Sequence, residues 1–292
     1  MTLIELRADF PPEQVETIDA QLQEVGLVDW NIVEDVIEKT AAVVGLFPTK
    51  EEATLAWAEL VKLCPLFALT KPSFRPLAEQ EWRDSYKAHF KAWQFGQLHW
   101  VPLWEKDDFV LPKGHEVLWL DPGLAFGTGN HETTRLCVER LVEYRASHST
   151  KACSVIDAGC GSGILALSAA KLGFQNVIGF DNDPEAVRVS EENAALNGLE
   201  GRVEFFTGDL VSGLTGRRAE LVFANILAPV LIEFAPQLVG AVAPEGTLIL
   251  SGILASEGEE VRAAFRRVAP TWSFPESRIL GEWCDVVCHR NQ

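Results

Sequence analysis

The sequence predicts an α/β protein, a mostly parallel sheet of the nucleotide-binding kind with helices on both faces, preceded by a small α+β domain. Three observations predict it. A short apolar run from Val155 ends in Asp157 and leads into three glycines that alternate with single residues, Gly159, Gly161 and Gly163, and then into a helix-forming run. A second apolar run, 177–180, ends in Asp181, 22 residues after Gly159 (181 − 159). Strand-like and helix-like segments alternate from there to the end, whereas residues 1–70 read β-α-β-β-α-β. The first two features are the opening half of a Rossmann-like sheet; the third is the order of a ferredoxin-like domain.

In chain order, residues 3–7 alternate like a short strand. Pro11-Pro12 opens a helix that runs to about Val25 and stops at Gly26. Residues 28–36 and 40–46 read as strands. Thr49 caps a helix that continues through Leu63, with Glu52 at the position that completes a capping box. Residues 66–70 read as a last strand. No chemical constellation occurs in this domain, so 1–70 is expected to recognise a substrate and not to catalyse. Residues 71–115 form an aromatic-rich connector: a break from Lys71-Pro72 to Pro76, then a helix over 79–90 with Trp82, Tyr86 and Phe90 on one face. Trp93, Phe95, Trp100, Trp104 and Phe109 follow. Such a cluster packs between domains, grips a substrate side chain or lines an opening to a site.

Residues 116–292 make the ligand-binding domain. A strand over 117–120 leads into Asp121-Pro-Gly-Leu-Ala-Phe-Gly-Thr-Gly-Asn-His-Glu-Thr-Thr134. This is no P-loop, because Lys-Ser/Thr never follows the final glycine. It reads as a loop passing into a helix over 132–144. After the glycine turn and Asp181, a helix over 184–196 starts at Asp183 and ends at Asn197-Gly198. A strand over 203–206 precedes Asp209, and one over 220–224 ends at Asn225-Ile-Leu-Ala-Pro229. A strand over 246–251, a helix over 256–268 and a closing hairpin (278–280 with 283–288) complete the chain.

Glycine spacing selects the ligand. A dinucleotide fingerprint is G-x-G-x-x-G; here the third glycine comes one residue early and Ile164 stands where glycine or alanine is wanted. No Arg or Lys stands near the turn to meet a phosphate. A ligand with a ribose and no phosphate suits this pattern, and S-adenosylmethionine is one. Gly159, Gly161 and Gly163 let the backbone turn tightly and bring bare N–H groups at a helix start to the ligand. Asp157 is placed to face the ligand's cationic amino-acid portion, and Asp181 to accept from its ribose. Asp209 meets an adenine amine or is a plain turn residue. Thr133 and Thr134 either cap their helix or bond the ligand's amino-acid end, while His131 reads as a loop histidine without a chemical role. Ligands of open α/β sheets bind beyond the carboxyl ends of the strands, so Asn225 stands where it can touch the reacting group. The alternative is an asparagine that bonds its own turn.

Composition bounds the rest. The chain has 292 residues, 47% hydrophobic and 23% charged, and no apolar run approaches the ~20 residues of a membrane span. Its first residues lack the basic-then-apolar pattern of a secretory signal, and a cytoplasmic location is expected. Six cysteines without a C-x-x-C pair read as free buried thiols; Cys284, Cys288 and His289 fall in a strand, and no metal is expected. The net charge is −17. Residues 1–65 carry 13 acidic and 4 basic groups, the densest acidity in the chain. That surface repels nucleic acid and attracts a basic partner, or serves solubility alone.

Taken together, 120–134, 155–183, Asn225-Ile-Leu-Ala228 and Leu250-Ser-Gly-Ile-Leu-Ala255 resemble the PrmA family, bacterial class I methyltransferases of ribosomal protein L11. Gly45-Leu-Phe-Pro-Thr-Lys-Glu-Glu52, Glu81-Trp-Arg and Glu282-Trp-Cys are similar too, so the likeness spans most of the chain. Asn130 and Glu132 depart from the Thr and Pro usual there. The resemblance implies S-adenosylmethionine held through Thr134, Gly159, Asp181 and Asn225. It also implies methylation of the N-terminal α-amine and lysine ε-amines of a basic ribosomal protein. A class I methyltransferase acting on another protein, RNA or a small molecule is the alternative.

Overall fold

The computed structural model describes residues 3–15, 18, 22, 30–35, 40–67, 70–77, 92–120 and 131–291. Most of the helix expected after Pro11, the helix expected over 79–90 and the segment 121–130 lie outside the described residues. The chain forms two compact units, Met1–His89 and Phe90–Gln292.

In the first unit, β1 (Leu3–Phe10), β2 (Trp30–Asp35), β3 (Thr40–Phe47) and β4 (Ser73–Leu77) form one antiparallel sheet in the order β2-β3-β1-β4. Helix α1 (Lys50–Leu63) begins as its sequence dictates: the Thr49 hydroxyl accepts from the Glu52 N–H at 3.2 Å. Leu6, Val43, Phe47, Leu60 and Phe67 are buried together, with Trp57 packed edge-on against Trp30 and tilted against Phe67. The last strand differs from expectation. Residues 65–67 take a tight helical turn that buries Phe67, and the strand forms only at Ser73. Pro76 is tolerated within β4 because that strand lies on the sheet edge.

The second unit opens with β5 (Trp93–Phe95), β6 (Leu98–Pro102) and β7 (Glu116–Leu120), in which β5 and β6 form a hairpin and β7 runs parallel to β6. Of the aromatic stretch, Phe95 and Trp100 are buried in this unit's own core and Trp93 packs against it. Trp100 is fully buried, and its indole N–H donates to the Ser168 hydroxyl at 2.9 Å.

The main sheet follows from α2 (Glu132–Ser147), β8 (Ser154–Ala158), α3 (Ile164–Lys171), β9 (Asn176–Asp181), α4 (Pro184–Leu196), β10 (Val203–Thr207) and β11 (Ala219–Asn225). It continues through α5 (Ala228–Glu233), α6 (Ala235–Gly240), β12 (Val242–Leu254), α7 (Gly258–Val268), β13 (Ile279–Leu280) and β14 (Trp283–His289). Seven strands run in the order β10-β9-β8-β11-β12-β14-β13; the first five are parallel, and β14 is antiparallel to both its neighbours, β12 and β13. Helices α2, α3 and α4 cover one apolar face, and α5, α6 and α7 the other. The expected doubly covered α/β sheet is what forms. Helix α2 is pinned to the sheet by Arg140, whose guanidinium donates twice to the fully buried Asp285 carboxylate of β14 at 2.7 and 3.1 Å. All six cysteines are free and buried. Among the described residues no helix is long and apolar enough to cross a membrane, and no cluster of His, Cys, Asp and Glu is arranged to hold a metal.

Candidate active site

From β8 the chain builds β9 and β10 outward on one side, then returns to the other side as β11. The crevice between the carboxyl ends of β8 and β11 is thus the switch point at which open α/β sheets bind ligands. A cavity of about 780 Å³ lies there. Along the sheet edge it meets Asp209 beyond β10, Asp181 at the end of β9, Gly159 after β8, Asn225 at the end of β11, Gly252 in β12 and Trp283 at the start of β14.

The glycine turn is built differently from the expected row of bare donors. The N–H groups of Gly159 and Cys160 donate to the Phe180 carbonyl at 2.9 and 3.0 Å, and that of Gly161 to the Asp181 carboxylate at 2.9 Å. These donors knit the turn to the end of β9. What the cavity meets is backbone without side chains: a Cβ on Gly159 would stand 2.7 Å from the Ile226 side chain. Gly163 does not line the cavity. It starts α3 at φ 76°, and a Cβ there would strike Ser190 of α4 and Phe205, so its role is close helix packing.

Asp181 accepts from the Gly161 and Asp183 N–H groups, one on each oxygen. Each oxygen keeps a further lone pair for a ribose hydroxyl. Asp209 is a turn residue, one of its two expected readings, and it also lines the cavity. One oxygen accepts from the N–H groups of Val211 and Ser212 and from the Ser212 hydroxyl, which holds its pKa below the ordinary carboxylate value.

Asp157 lies elsewhere. Its carboxyl is 1% exposed beneath the turn, outside the cavity lining, and accepts from the Ala166 N–H of α3 at 3.0 Å. It braces the turn against α3 instead of facing the cavity. Thr134 is also buried and behind the lining. His131 caps α2, accepting from the Thr133 N–H, which leaves the Thr134 hydroxyl to accept from the Asn225 side-chain amide at 3.3 Å. An amide whose NH2 is directed at Thr134 keeps its oxygen as an acceptor.

Sequence reasoning set His131 aside and did not single out Phe234, Gly252 or Trp283, all of which line the cavity. Gly252, at φ 81°, approaches the Ile226 backbone so closely that a Cβ would lie 2.5 Å from its carbonyl oxygen. The Ser-Gly pair at the end of a strand was the signal for it.

The lining carries Asp181, Asp183, Glu185 and Asp209 and, among the described residues, no Lys or Arg. Such a cavity offers phosphate no counter-charge and favours a cation. A sulfonium nucleoside fits it; a pyrophosphate does not.

The model of the ribosomal protein L11 methyltransferase (PrmA) family matches residues 4–291. The chain belongs to this family. A ribosomal protein L11 methyltransferase of Pseudomonas aeruginosa is 39% identical over 280 residues, covering 91% of this chain and 92% of that one. That of Pseudomonas fluorescens is 39% identical over 307 aligned residues, 99% of this chain and 100% of the relative. The crystal structure of a ribosomal protein L11 methylase from Lactobacillus delbrueckii subsp. bulgaricus matches with a TM-score of 0.61 at 33% identity, over 70% of this chain and 100% of that chain. The family resemblance read from the motifs therefore holds, and with it a methyltransferase that takes S-adenosylmethionine as methyl donor.

Proposed function

We propose that this chain transfers methyl groups to the N-terminal α-amine and lysine ε-amines of ribosomal protein L11. The observation that carries the reading is Asn225, held by Thr134 at the carboxyl end of β11, in a cavity whose lining is acidic and, among the described residues, without Lys or Arg. S-adenosylmethionine supplies a methyl carbon activated by its sulfonium, and transfer breaks that S–C bond as an N–C bond forms, leaving a neutral thioether and a cationic amine that returns a proton to water. The chain needs no nucleophile of its own. Its task is alignment, which lowers a barrier by ~7–11 kcal/mol when geometry is well fixed.

Its second task is to present a neutral amine. At pH 7 a lysine of pKa ~10.4 costs about 4.6 kcal/mol to deprotonate, and an α-amine of ~7.7 about 1 kcal/mol. The apolar lining contributed by Leu227, Val230 and Phe234 disfavours the charged amine by desolvation. Asn225 then accepts one amine hydrogen and directs the lone pair at the methyl carbon. Residues 1–70 act as the recognition module, their acidity matched to a basic ribosomal protein.

Intact-mass analysis of purified ribosomal protein L11 after incubation with the chain and S-adenosylmethionine tests the reaction; no gain in methyl-sized steps would reject it. Asn225→Ala tests the alignment. Turnover should fall roughly 10²-fold, as for a misplaced reactant, with donor affinity nearly kept. Equal losses in both would remove Asn225 from the role.

A further inference from the structure

The cavity has two ends, and the nucleoside accounts for only one. Asp181 and Asp209 mark the β9–β10 side. On the other side of Asn225 the sheet continues through β12 to β14, two strands and about 10 Å away. Because β14 is antiparallel, it begins at the edge where the parallel strands end, which brings Trp283 to the cavity. Register sets its height: Asn225 pairs with Ser251, but Trp283 pairs with Leu254, three residues farther out. Trp283 thus stands on the rim, beyond the point of transfer and opposite the nucleoside end.

Its indole does not stand alone. The His131 ring packs edge-on against it, with centroids 4.9 Å apart. That ring is fixed by its Nδ1, which lies 2.8 Å from the Thr133 hydroxyl, and the Thr133 carbonyl accepts from the Ser251 hydroxyl at 3.1 Å. The start of α2, the end of β12 and the start of β14 are thereby joined behind one aromatic surface. Leu227, 66% exposed, lines the same cavity from the start of α5.

We propose that Trp283, backed by His131, is the acceptor wall of the site: the methylene stem of an incoming lysine lies along the indole while its nitrogen reaches Asn225. The proposal rests on the reading that Asn225 marks the point of methyl transfer. An indole suits the task because it offers a broad apolar face to methylenes and an attractive π-cloud to an ammonium still carrying its proton.

Steady-state kinetics with a lysine-bearing peptide of ribosomal protein L11, beside calorimetry with S-adenosylmethionine, tests it. Trp283→Ala should raise the peptide KM roughly tenfold, the worth of one aromatic contact, while the donor Kd stays within about twofold; Trp283→Phe should recover most of the loss. A donor Kd that rises in step with the KM, or an unchanged KM, overturns the wall. Should the Ala variant fold poorly, the wild-type chain decides the matter: a peptide whose lysine is shortened by three methylenes should show a clearly higher KM, and an equal KM refutes the stem contact. Failure of the underlying reading has a different signature, an Asn225→Ala variant that loses donor affinity and turnover equally, and the wall falls with it.

Discussion

A carboxyl group sealed beneath the glycine turn makes the fold sensitive to pH. Burial pushes the pKa of Asp157 up from 3.8 to about 7, helped by the charge of Asp181 and opposed by the hydrogen bond from the Ala166 N–H. In the unfolded chain this group ionises near 3.8, whereas the folded chain keeps its proton until about 7. Between those values the folded state binds more protons, so stability falls as pH rises through the window and levels off above it. The full cost of ionising the group is about 4 kcal/mol. Asp157→Asn keeps an oxygen for Ala166 and removes the charge. It should match the wild type in urea unfolding near pH 4 and exceed it by up to about 4 kcal/mol near pH 8. An identical difference at both pH values would show that ionisation of Asp157 plays no part.

At the scale of elements, the site depends on how closely β12 approaches the segment after β11. Gly252 sits at φ 81° with the Ile226 carbonyl where its Cβ would be, and the Ile226 N–H donates to the Ser251 carbonyl at 3.1 Å. Gly252→Ala combines left-handed strain, ~1–2 kcal/mol, with a backbone clash that must separate the two segments. Gly201 has a similar φ of 70° and open space around it, so Gly201→Ala meets the strain alone. Denaturant unfolding should show Gly252→Ala the more destabilised by at least ~1 kcal/mol, with turnover lost only there; equal destabilisation would mean that the close approach is not tight. Such contacts explain what could be read from the chain beforehand. Strand, turn, helix and strand over 154–181 were legible because glycines, periodicity and the terminal acid all agree locally. The Thr49 cap was legible for the same reason. Strand β6 was not, since all five of its residues are buried and no alternation survives. Trp283 was missed because its place depends on an antiparallel strand starting where the others end, a property of topology and not of local sequence. Asp157 was assigned to the ligand from its position before the glycines, but residue order does not tell whether a carboxylate points above a turn or below it.

For the molecule as a whole, the proposed basic acceptor makes the charge distribution a matter of encounter. The net charge is −17, and residues 1–65 hold 13 acidic against 4 basic groups. A field of that sign draws a basic protein toward the chain and raises its association rate, and salt weakens the effect as the Debye length contracts from ~10 Å at 0.1 M to ~3 Å at 1 M. Donor binding depends less on this long-range field, because S-adenosylmethionine carries a single net positive charge and, in the proposed site, meets carboxylates at short range. Raising salt from low to high concentration should therefore lower kcat/KM for intact ribosomal protein L11 several-fold or more, while donor Kd changes much less. A short single-lysine peptide, with few charges to be steered, should fall between the two. Equal salt dependence for the intact protein and the peptide would mean that the acidity of the first unit serves solubility, and that recognition rests on contacts at the cavity mouth.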